Sequence, residues 1–425
     1  MIFHCDRNVW IDPSRGRVGH MILVMGLLLA ALPAGAGQEM DVDGVLHIRN
    51  SDTPANGVQD LELEELWRIG GEDDEDVLLG IISRVLIDDQ NNIYLLDGQL
   101  SQVQVFSADG EYLNTIGRAG SGPGEITNPG DFVFMPDGTL GLVQIFPGKI
   151  VKLDMEGTPA GDFNPITGEA TAGGFLALVN CRGAGGNLVL SGLQIAYNSE
   201  TQSMDRNHFV RSYGMDGQMV AEYLTKLVHW NFNENFKLTE LDNDFIWWRM
   251  DVGPEGKLVV CEPRYGYALS VYSPDGTLER VIDREYESWT RNEAVFKRWE
   301  TIMAAQAGQL PPGTPTEAEK MEQDVTDLRV ARDGSIWVLP SRQMYEPDPG
   351  TFATYDVFTP SGDFDRQVRV SCEGSSSTDR LFFAGGDRLF QVKGFWDAVL
   401  SASGGPASDD EEEPEPMEVI CYLIK

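Results

Sequence analysis

The stretch that decides the fold is residues 85–116, VLIDDQNNIYLLDGQLSQVQVFSADGEYLNTI, in which four short apolar runs are separated by turns. Apolar and polar residues alternate within the runs, and β-branched and aromatic residues are frequent, as in half-buried β-strands. Asn, Asp and Gly in the turns tolerate the positive φ of tight hairpins. The stretch therefore predicts one antiparallel unit of four strands, A to D.

The same two kinds of turn recur along the chain, and their numbers differ by one. Six A–B turns begin at Asp89, Pro136, Gly183, Pro254, Arg332 and Gly385. Five C–D turns begin at Ser107, Met155, Met215, Ser273 and Pro360. Six units, one of them incomplete, predict an all-β fold: a six-bladed β-propeller of four-stranded antiparallel blades. A strand at residues 61–69 is expected to complete the last blade and leave no open edge.

The segment Asp88–Asp131 resembles the NHL repeat of six-bladed propellers. The resemblance is carried by Asn92–Asp97, Val103–Phe106, Gly110 and the glycine-rich connector Gly117–Glu125. It implies the propeller fold, in the form found in exported bacterial proteins. Related propellers include sugar-lactone hydrolases, a peptide-amidating lyase and pure binding domains, so the resemblance does not fix the function.

The N-terminus has the pattern of a secretory signal. The apolar run Met21–Leu32 follows Arg15 and Arg17 and precedes Ala34-Gly35-Ala36. Residues 1–36 are therefore predicted to be a signal peptide, residues 37–60 a linker and residues 61–425 the propeller. Translation could also start at Met21. The apolar run is short for a membrane span, so we expect an exported protein, periplasmic or extracellular, with no membrane span.

The composition is strongly acidic. Lys and Arg total 32 against 67 Asp and Glu, a formal net charge of -35. This argues against nucleic acid or an anionic membrane as a partner and makes a cationic ligand or divalent metal easier to bind. Solubility or a saline habitat explains the same charge. Beyond the predicted signal, Cys181, Cys261, Cys372 and Cys421 could form a disulfide or remain buried thiols.

Strand order separates two faces of the ring. The tight A–B and C–D turns lie at one end, the trimmed face, and the B–C loops and blade-to-blade crossings lie at the other, the elaborated face. Every long insertion falls on the elaborated face, which is therefore the predicted binding face. These insertions are 195–207, 227–245, 285–324, 341–351 and 394–417, the last containing an acidic loop at 402–417.

The insertion 285–324 lies between blades four and five. Trp289, Val295, Trp299 and Met303 recur at helical spacing, which predicts an amphipathic helix. A second short helix is predicted over Glu317–Gln323. The insertion would serve either as a lid or as a brace.

Aligning the blades gives the candidate ligand-binding residues. The B strands end on the elaborated face at Asp97, Gln144 and Glu262. Equivalent innermost positions near the channel are Arg84, Asp131, Val179, Arg249, Asp327 and Arg380. Their mixed charges predict either a ring of inter-blade salt bridges or a polar site on the axis for a small ligand or metal. Arg264 and Tyr265 in blade four and Arg342 in blade five complete the candidates, because aromatic rings with charged groups suit a sugar or peptide.

Three functions fit these patterns. The preferred one is an exported binding module for a small molecule, glycan or peptide on the elaborated face, which requires no catalysis. The alternative is a metal-assisted hydrolase or lyase of the lactonase type. Asp97 and Glu262, with Gln144, would hold a divalent cation, and His229 would be the catalytic base; the nearby arginines count against this. A protein-interaction scaffold using the acidic loop is the third.

Overall fold

The computed structural model describes residues 37–71, 77–166, 174–402 and 417–425. The predicted signal peptide and most of the acidic loop lie outside these residues. Four strands come before the first complete blade: β1 Gln38–Val42, β2 Val45–Asn50, β3 Val58–Leu61 and β4 Leu63–Gly70.

The chain then winds through six blades, as predicted. Blade one contains β5 Ile82–Ile87, β6 Ile93–Asp97, β7 Gln102–Phe106 and β8 Tyr112–Ile116. Blade two contains β9 Pro129–Phe134, β10 Leu140–Gln144, β11 Lys149–Leu153 and β12 Pro159–Phe163. Blade three contains β13 Gly174–Ala184, β14 Asn187–Asn198, β15 Ser203–Tyr213 and β16 Met219–Asn231.

The remaining blades are interrupted by short helices. A crossing with β17 Leu238–Thr239 and α1 Glu240–Asn243 leads to blade four, which contains β18 Met250–Val252, β19 Leu258–Val260, β20 Ala268–Tyr272 and β21 Leu278–Arg284. The insertion contributes α2 Glu293–Ala307 and β22 Thr316–Glu317. Blade five contains β23 Val325–Val330, β24 Ile336–Pro340, α3 Ser341–Tyr345, β25 Ala353–Phe358 and β26 Phe364–Val370. Blade six contains β27 Arg380–Gly385, β28 Arg388–Lys393, α4 Phe395–Ala402 and β29 Glu418–Ile424.

The tight turns have the geometry that their sequences predict. At Pro136-Asp137-Gly138 the glycine has φ 83°, and its N–H donates to the carbonyl oxygen of Met135 at 2.9 Å. A side chain at this φ would be strained, so glycine stabilises the turn. Between the turns, apolar faces of neighbouring blades pack together; Tyr94 and Leu96 of blade one share a buried cluster with Phe132 of blade two.

The ring closes as expected. β4 pairs antiparallel with β29 and becomes the fourth strand of blade six. Ile69 is buried in the cluster that contains Phe390 and Val419, and Trp67 packs against it. The fourth strand of the last blade thus comes from the other end of the chain.

Residues 37–60, expected to be a linker, instead contain strands. β2 pairs in parallel with β21 of blade four, and β3 pairs in parallel with β26 of blade five. Both partners are the outermost strands of their blades, whose free edges would otherwise present unpaired N–H and C=O groups. The segment before β4 therefore covers two blade edges.

Blade three is longer than predicted. The segment 195–207, expected to be a loop, forms the end of β14, a four-residue turn and the start of β15. β16 continues to Asn231, so His229 lies in a strand and not in a crossing. The alternation of buried and exposed residues simply continues beyond the ring, with Val228 and Trp230 buried and His229 exposed.

The helical insertion between blades four and five is confirmed. Asn292 caps α2 through its side chain, which accepts from the Val295 N–H at 3.0 Å. The second predicted helix, Glu317–Gln323, is wrong. The Glu322 N–H donates to the carbonyl oxygen of Trp289, so this backbone pairs with a distant segment and not with its own preceding turn.

Cys181, Cys261, Cys372 and Cys421 are all free thiols in the structure. Burial raises the pKa of Cys261 to about 11. No helix in the described part of the chain has the length and apolar character needed to cross a membrane.

Candidate functional site

Helix α2 crosses the elaborated face of the ring. Met303, towards its C-terminus, is buried with Val228 and Trp230 on the long hairpin of blade three. Arg298, towards its N-terminus, donates to the carbonyl oxygen of Ser377 in blade six at 2.9 Å. Fifteen residues of helix span about 22 Å, so α2 bridges two well-separated blades.

A buried ion network fixes the insertion to the ring. Arg291, directly before the cap of α2, donates to Glu240 at 2.7 and 2.8 Å and to Glu322 at 2.9 Å through two nitrogens. These three side chains are between 0% and 4% exposed. Arg264 of blade four also contacts Glu240 at 2.5 Å. Of the two predicted roles, this geometry favours a brace.

A cavity of about 350 Å³ lies beneath this brace, and we call it the upper cavity. Strand β15 supplies Arg206 and His208, the crossing before blade four supplies Trp247 and Trp248, and α2 supplies Trp299. Three indole rings and one imidazole line this concave site together with the guanidinium groups of Arg206, Arg249 and Arg264. The carboxylates of Glu240 and Asp244 also line it and are paired with Arg264, and with Arg291 and Arg249 respectively.

His208 is the buried base of the upper cavity. The residue is 0% exposed, and its Nδ1 lies 3.3 Å from the Lys226 carbonyl oxygen. Because a carbonyl only accepts, Nδ1 carries the proton and Nε2 keeps a lone pair. Nε2 has no hydrogen-bond partner among the described residues. Burial, together with the charge of Arg206, lowers the pKa of His208 to about 4, so the ring is neutral at pH 7.

Arg206 is one of the cations of the upper cavity. It donates to the Asn243 Oδ1 at 2.7 Å, and its guanidinium lies 4.1 Å from the centre of the Trp230 ring. Within the described residues no carboxylate lies at ion-pair distance from it. Burial lowers the pKa of Arg206 to about 10, which leaves the side chain charged at neutral pH.

A second, larger cavity of about 670 Å³, which we call the axial cavity, extends from the axial channel between blades five and six to β26 and β3 at the outer edge of blade five. Its wall includes the A–B turns of blades five and six, at 331–335 and 385–386. It therefore reaches the trimmed face, and not the elaborated face on which binding was expected. Trp248 lines both cavities and lies between them.

Part of the channel wall is the predicted ring of inter-blade salt bridges. Asp131 of blade two accepts from Arg182 of blade three at 2.5 Å, and Arg182 also contacts Asp251 of blade four at 3.2 Å. Asp131 further accepts from the Cys181 N–H, and Asp251 from the Val330 N–H, so each aspartate binds the backbone of a later blade.

The alignment of blades was correct at four of six channel positions. Arg84, Asp131, Asp327 and Arg380 make the predicted inter-blade contacts. At blades three and four, Arg182 and Asp251 replace the expected Val179 and Arg249. Arg249 is buried outside the channel and donates to both oxygens of Asp244 at 3.1 and 3.2 Å. The strand lengths of these two blades differ from those of blade one, which displaces the equivalent positions.

The candidate metal ligands do not converge. Asp97 is fully buried, and its carboxylate accepts from the N–H groups of Gly80, Ile81 and Leu100 at 2.7, 3.2 and 2.9 Å. Gln144 donates to the carbonyl oxygen of Phe146. Glu262 is exposed, on the blade across the ring from Asp97. In the described ranges, no group of three His, Cys, Asp or Glu side chains is arranged to hold a metal ion.

Replacement of Asp97 by alanine is expected to destabilise the protein by about 3 kcal/mol, because three part-buried N–H groups lose their charged acceptor. Glu262→Ala, at the other proposed ligand, is expected to change the stability by less than about 0.5 kcal/mol. Chemical denaturation of both variants measures these differences. Equal losses for the two would contradict the structural role of Asp97.

The remaining candidates separate into two groups. Arg264 belongs to the ion network and lines the upper cavity. Tyr265 donates to Glu319 at 2.6 Å and is 40% exposed. Arg342 is exposed and pairs with the loop before α2 through the Glu287 carbonyl oxygen. His229 is also exposed and forms a pair with Asp205 at 2.6 Å, away from both cavities.

Arg206 and His208 were not among the predicted site residues. They are two positions apart in β15, and side chains at i and i+2 of a strand point to the same side. That spacing is visible in the sequence. The spacing indicates a shared site only when β15 is known to extend beyond the ring and to pass under α2.

Residues 47–164 match a family model described as a 6-bladed beta-propeller. The match supports the propeller fold and does not distinguish the NHL repeat from other repeats. No curated protein matches the sequence.

Solved structures with a similar fold include three propellers. A Bacteroides fragilis protein described as exported has a TM-score of 0.48 and 11% identity, with 89% of this chain and 99% of that chain covered. A gluconolactonase from Xanthomonas campestris has a TM-score of 0.43 and 13% identity, covering 85% and 90%. Virginiamycin B lyase from Staphylococcus aureus has a TM-score of 0.41 and 10% identity, covering 86% and 100%. These similarities are too distant to carry an argument about activity.

Proposed function

We propose that this chain is an exported binding module that holds a small hydroxy acid, such as a sugar acid, in the upper cavity on its elaborated face. The observation that carries the proposal is the pairing of an unneutralised Arg206 with the free lone pair of His208 Nε2. A part-buried cation without a carboxylate partner and a buried acceptor without a hydrogen bond each favour a ligand that supplies what is missing.

The spacing of the two groups suits one small molecule. Their backbone positions are two residues apart on β15, which corresponds to about 7 Å. A carboxylate would accept from Arg206, and a hydroxyl would donate to His208 Nε2. Trp247, Trp248 and Trp299 supply aromatic surface for the apolar face of a sugar ring. Because the pKa of His208 is about 4, its imidazole is neutral at pH values well above 4 and would accept this hydrogen bond there.

Binding requires no catalysis, and we propose no reaction. A lactonase-type reaction would require Asp97, Gln144 and Glu262 to converge, whereas Asp97 is occupied by three backbone N–H groups and Glu262 is exposed. Export would place the cavity in contact with extracellular or periplasmic solutes, and the signal-like N-terminus supports this location.

Calorimetric titration with galacturonate and gluconate, beside neutral galactose and glucose, tests the proposal. We expect the acids to bind and the neutral sugars to bind at least tenfold more weakly. Arg206→Gln and His208→Gln should each weaken binding by about 10- to 100-fold, the value of a charge-assisted or buried hydrogen bond. The matched control is His229→Gln on the exposed face of the adjacent strand. Equal binding of acids and neutral sugars, or equal losses in the control, would refute the proposal.

A further inference from the structure

The axial cavity is positively charged within a strongly acidic protein. Six arginines and four aspartates line it, whereas the whole chain has a net charge of -35. No lysine or glutamate is part of its wall. The guanidinium is the side chain best suited to bind carboxylate and phosphate groups, because its planar set of N–H donors matches their oxygens.

The aspartates of this wall already have partners within the protein. Both oxygens of Asp251 accept hydrogen bonds, from Arg182 and from the Val330 N–H. Asp333 accepts from the backbone and side chain of Ser335, and Asp60 pairs with Arg369. Asp251 thus pairs with Arg182 of the same wall, Asp60 pairs with an arginine outside it, and the fourth aspartate, Asp327, faces Arg380 at 3.5 Å.

Three arginines remain poorly neutralised, and they lie on the consecutive blades five, six and one. Arg84 approaches Asp131 only to 3.6 Å, and Arg380 approaches Asp327 only to 3.5 Å. Arg329 has no ion pair within the described residues and lies between the rings of Trp337 and Phe383.

Each of these arginines also keeps a buried nitrogen that makes no hydrogen bond with the described residues; in Arg84 this is the Nε that faces Asp131 at 3.6 Å. In the described part of the protein, Nε of Arg84, Nε of Arg329 and Nη1 of Arg380 make no hydrogen bond. Burial, with the charge of Arg182, lowers the pKa of Arg84, and burial lowers that of Arg329 to about 10. Arg84 and Arg380 repel each other, and the carboxylates nearest to these two arginines are 3.5 to 3.6 Å away, so an anion between them would stabilise both.

We propose that the axial cavity is a second binding site, independent of the upper cavity, for a small polyanion that carries carboxylate or phosphate groups. Arg84, Arg329 and Arg380 would bind it from blades one, five and six. The A–B turns of blades five and six place its entrance on the trimmed face, so the two faces of the propeller would bind different ligands.

Calorimetric titration with inorganic phosphate and, separately, citrate in Tris–chloride at constant ionic strength tests this site. We expect saturable binding of at least one anion at one site per chain. Binding of phosphate alone assigns the site to phosphate groups, and binding of citrate alone assigns it to carboxylates. Saturable binding of neither anion would overturn the proposal.

Substitutions locate the site. Arg84→Gln and Arg380→Gln should each weaken binding at least tenfold, whereas Arg118→Gln, whose side chain is 77% exposed, should not change it. Arg84→Gln should leave the anion-free thermal midpoint unchanged or raised, which separates lost binding from lost folding. A loss of binding in Arg206→Gln but not in Arg84→Gln would place the anion in the upper cavity and overturn the axial site.

Discussion

A chain that begins at Gly71, and therefore lacks β4, is expected to lose its cooperative fold. β4 supplies the fourth strand of blade six, and its register with β29 runs from Leu63 to Gly70. Removing it exposes the edge of β29 and the core around Phe390 and Val419. The lost burial of Ile69 and Trp67 alone would cost about 5 to 10 kcal/mol, comparable to the whole stability of a typical domain.

The matched control is a chain that begins at Leu63, which keeps β4 but lacks β1, β2 and β3. These strands add to blades that already have four strands of their own. Ile48 and Asn50 are buried there, so we expect a loss of about 2 to 4 kcal/mol and a retained cooperative transition. Circular dichroism during denaturation, with gel filtration, distinguishes the two chains. A cooperative transition in the chain from Gly71 would show that ring closure is dispensable.

The repeating architecture could be predicted because its determinants are local. A residue with positive φ, usually glycine, marks each tight turn; it follows an aspartate at Gly110, Gly138, Gly217, Gly276 and Gly334. Its effect depends on little outside the hairpin. The sequence also shows one more A–B turn than C–D turns. This difference predicted that the last blade lacks its own fourth strand and that β4 supplies it. Strand alternation and turn chemistry agree in every blade, which is the consistency expected of a foldable sequence.

The elements that were missed depend on distant partners. β2 and β3 are short, and they form strands because β21 and β26 offer them free edges. Glu317–Gln323 has helix-forming composition, yet its backbone pairs with residues near Trp289, which outweighs the local preference.

The candidate site residues also divide into those set by local sequence and those set by distant contacts. The blade alignment placed Arg84 and Arg380 on the channel because equivalent blade positions lie at one place around the axis. Asp97 also occupies an equivalent position, but its carboxylate binds backbone N–H groups of the preceding connector. A sequence shows that a carboxylate ends a strand and does not show which donors surround it. Arg206 and His208 acquire their roles only through α2, whose position on the face depends on tertiary packing.

Arg291→Met is expected to destabilise the protein by about 3 to 5 kcal/mol, because it leaves Glu240 and Glu322 buried without their main cation. All five N–H groups of Arg291 have acceptors. Two donate to Glu240, two donate to Glu322 and one donates to the carbonyl oxygen of Glu319. Nη2 donates one hydrogen bond to each of the two carboxylates. The matched control is Arg298→Met, five residues into α2 and partly exposed, whose 3.4 Å contact with Asp397 should contribute less than about 1 kcal/mol.

The pH dependence of this loss identifies its electrostatic origin. In the protein as it stands, burial alone would raise the pKa of Glu240, but the hydrogen bond from Arg291 and the charge of Arg264 lower it overall. A lowered folded pKa contributes stability that is present above the unfolded value near 4.5 and is lost on acidification. Without Arg291 we expect the folded pKa to rise above 4.5, so protonation should favour the folded variant.

The difference in unfolding free energy between Arg291→Met and the unsubstituted protein should therefore shrink as the pH falls from 7 towards 4.5. Adding Glu240→Gln to Arg291→Met should recover part of the stability at pH 7, because it removes one unpaired buried charge. Urea denaturation at several pH values measures both effects. A pH-independent loss, with no recovery in the double variant, would mean that Arg291 acts by packing against Trp299 and not by neutralising the carboxylates.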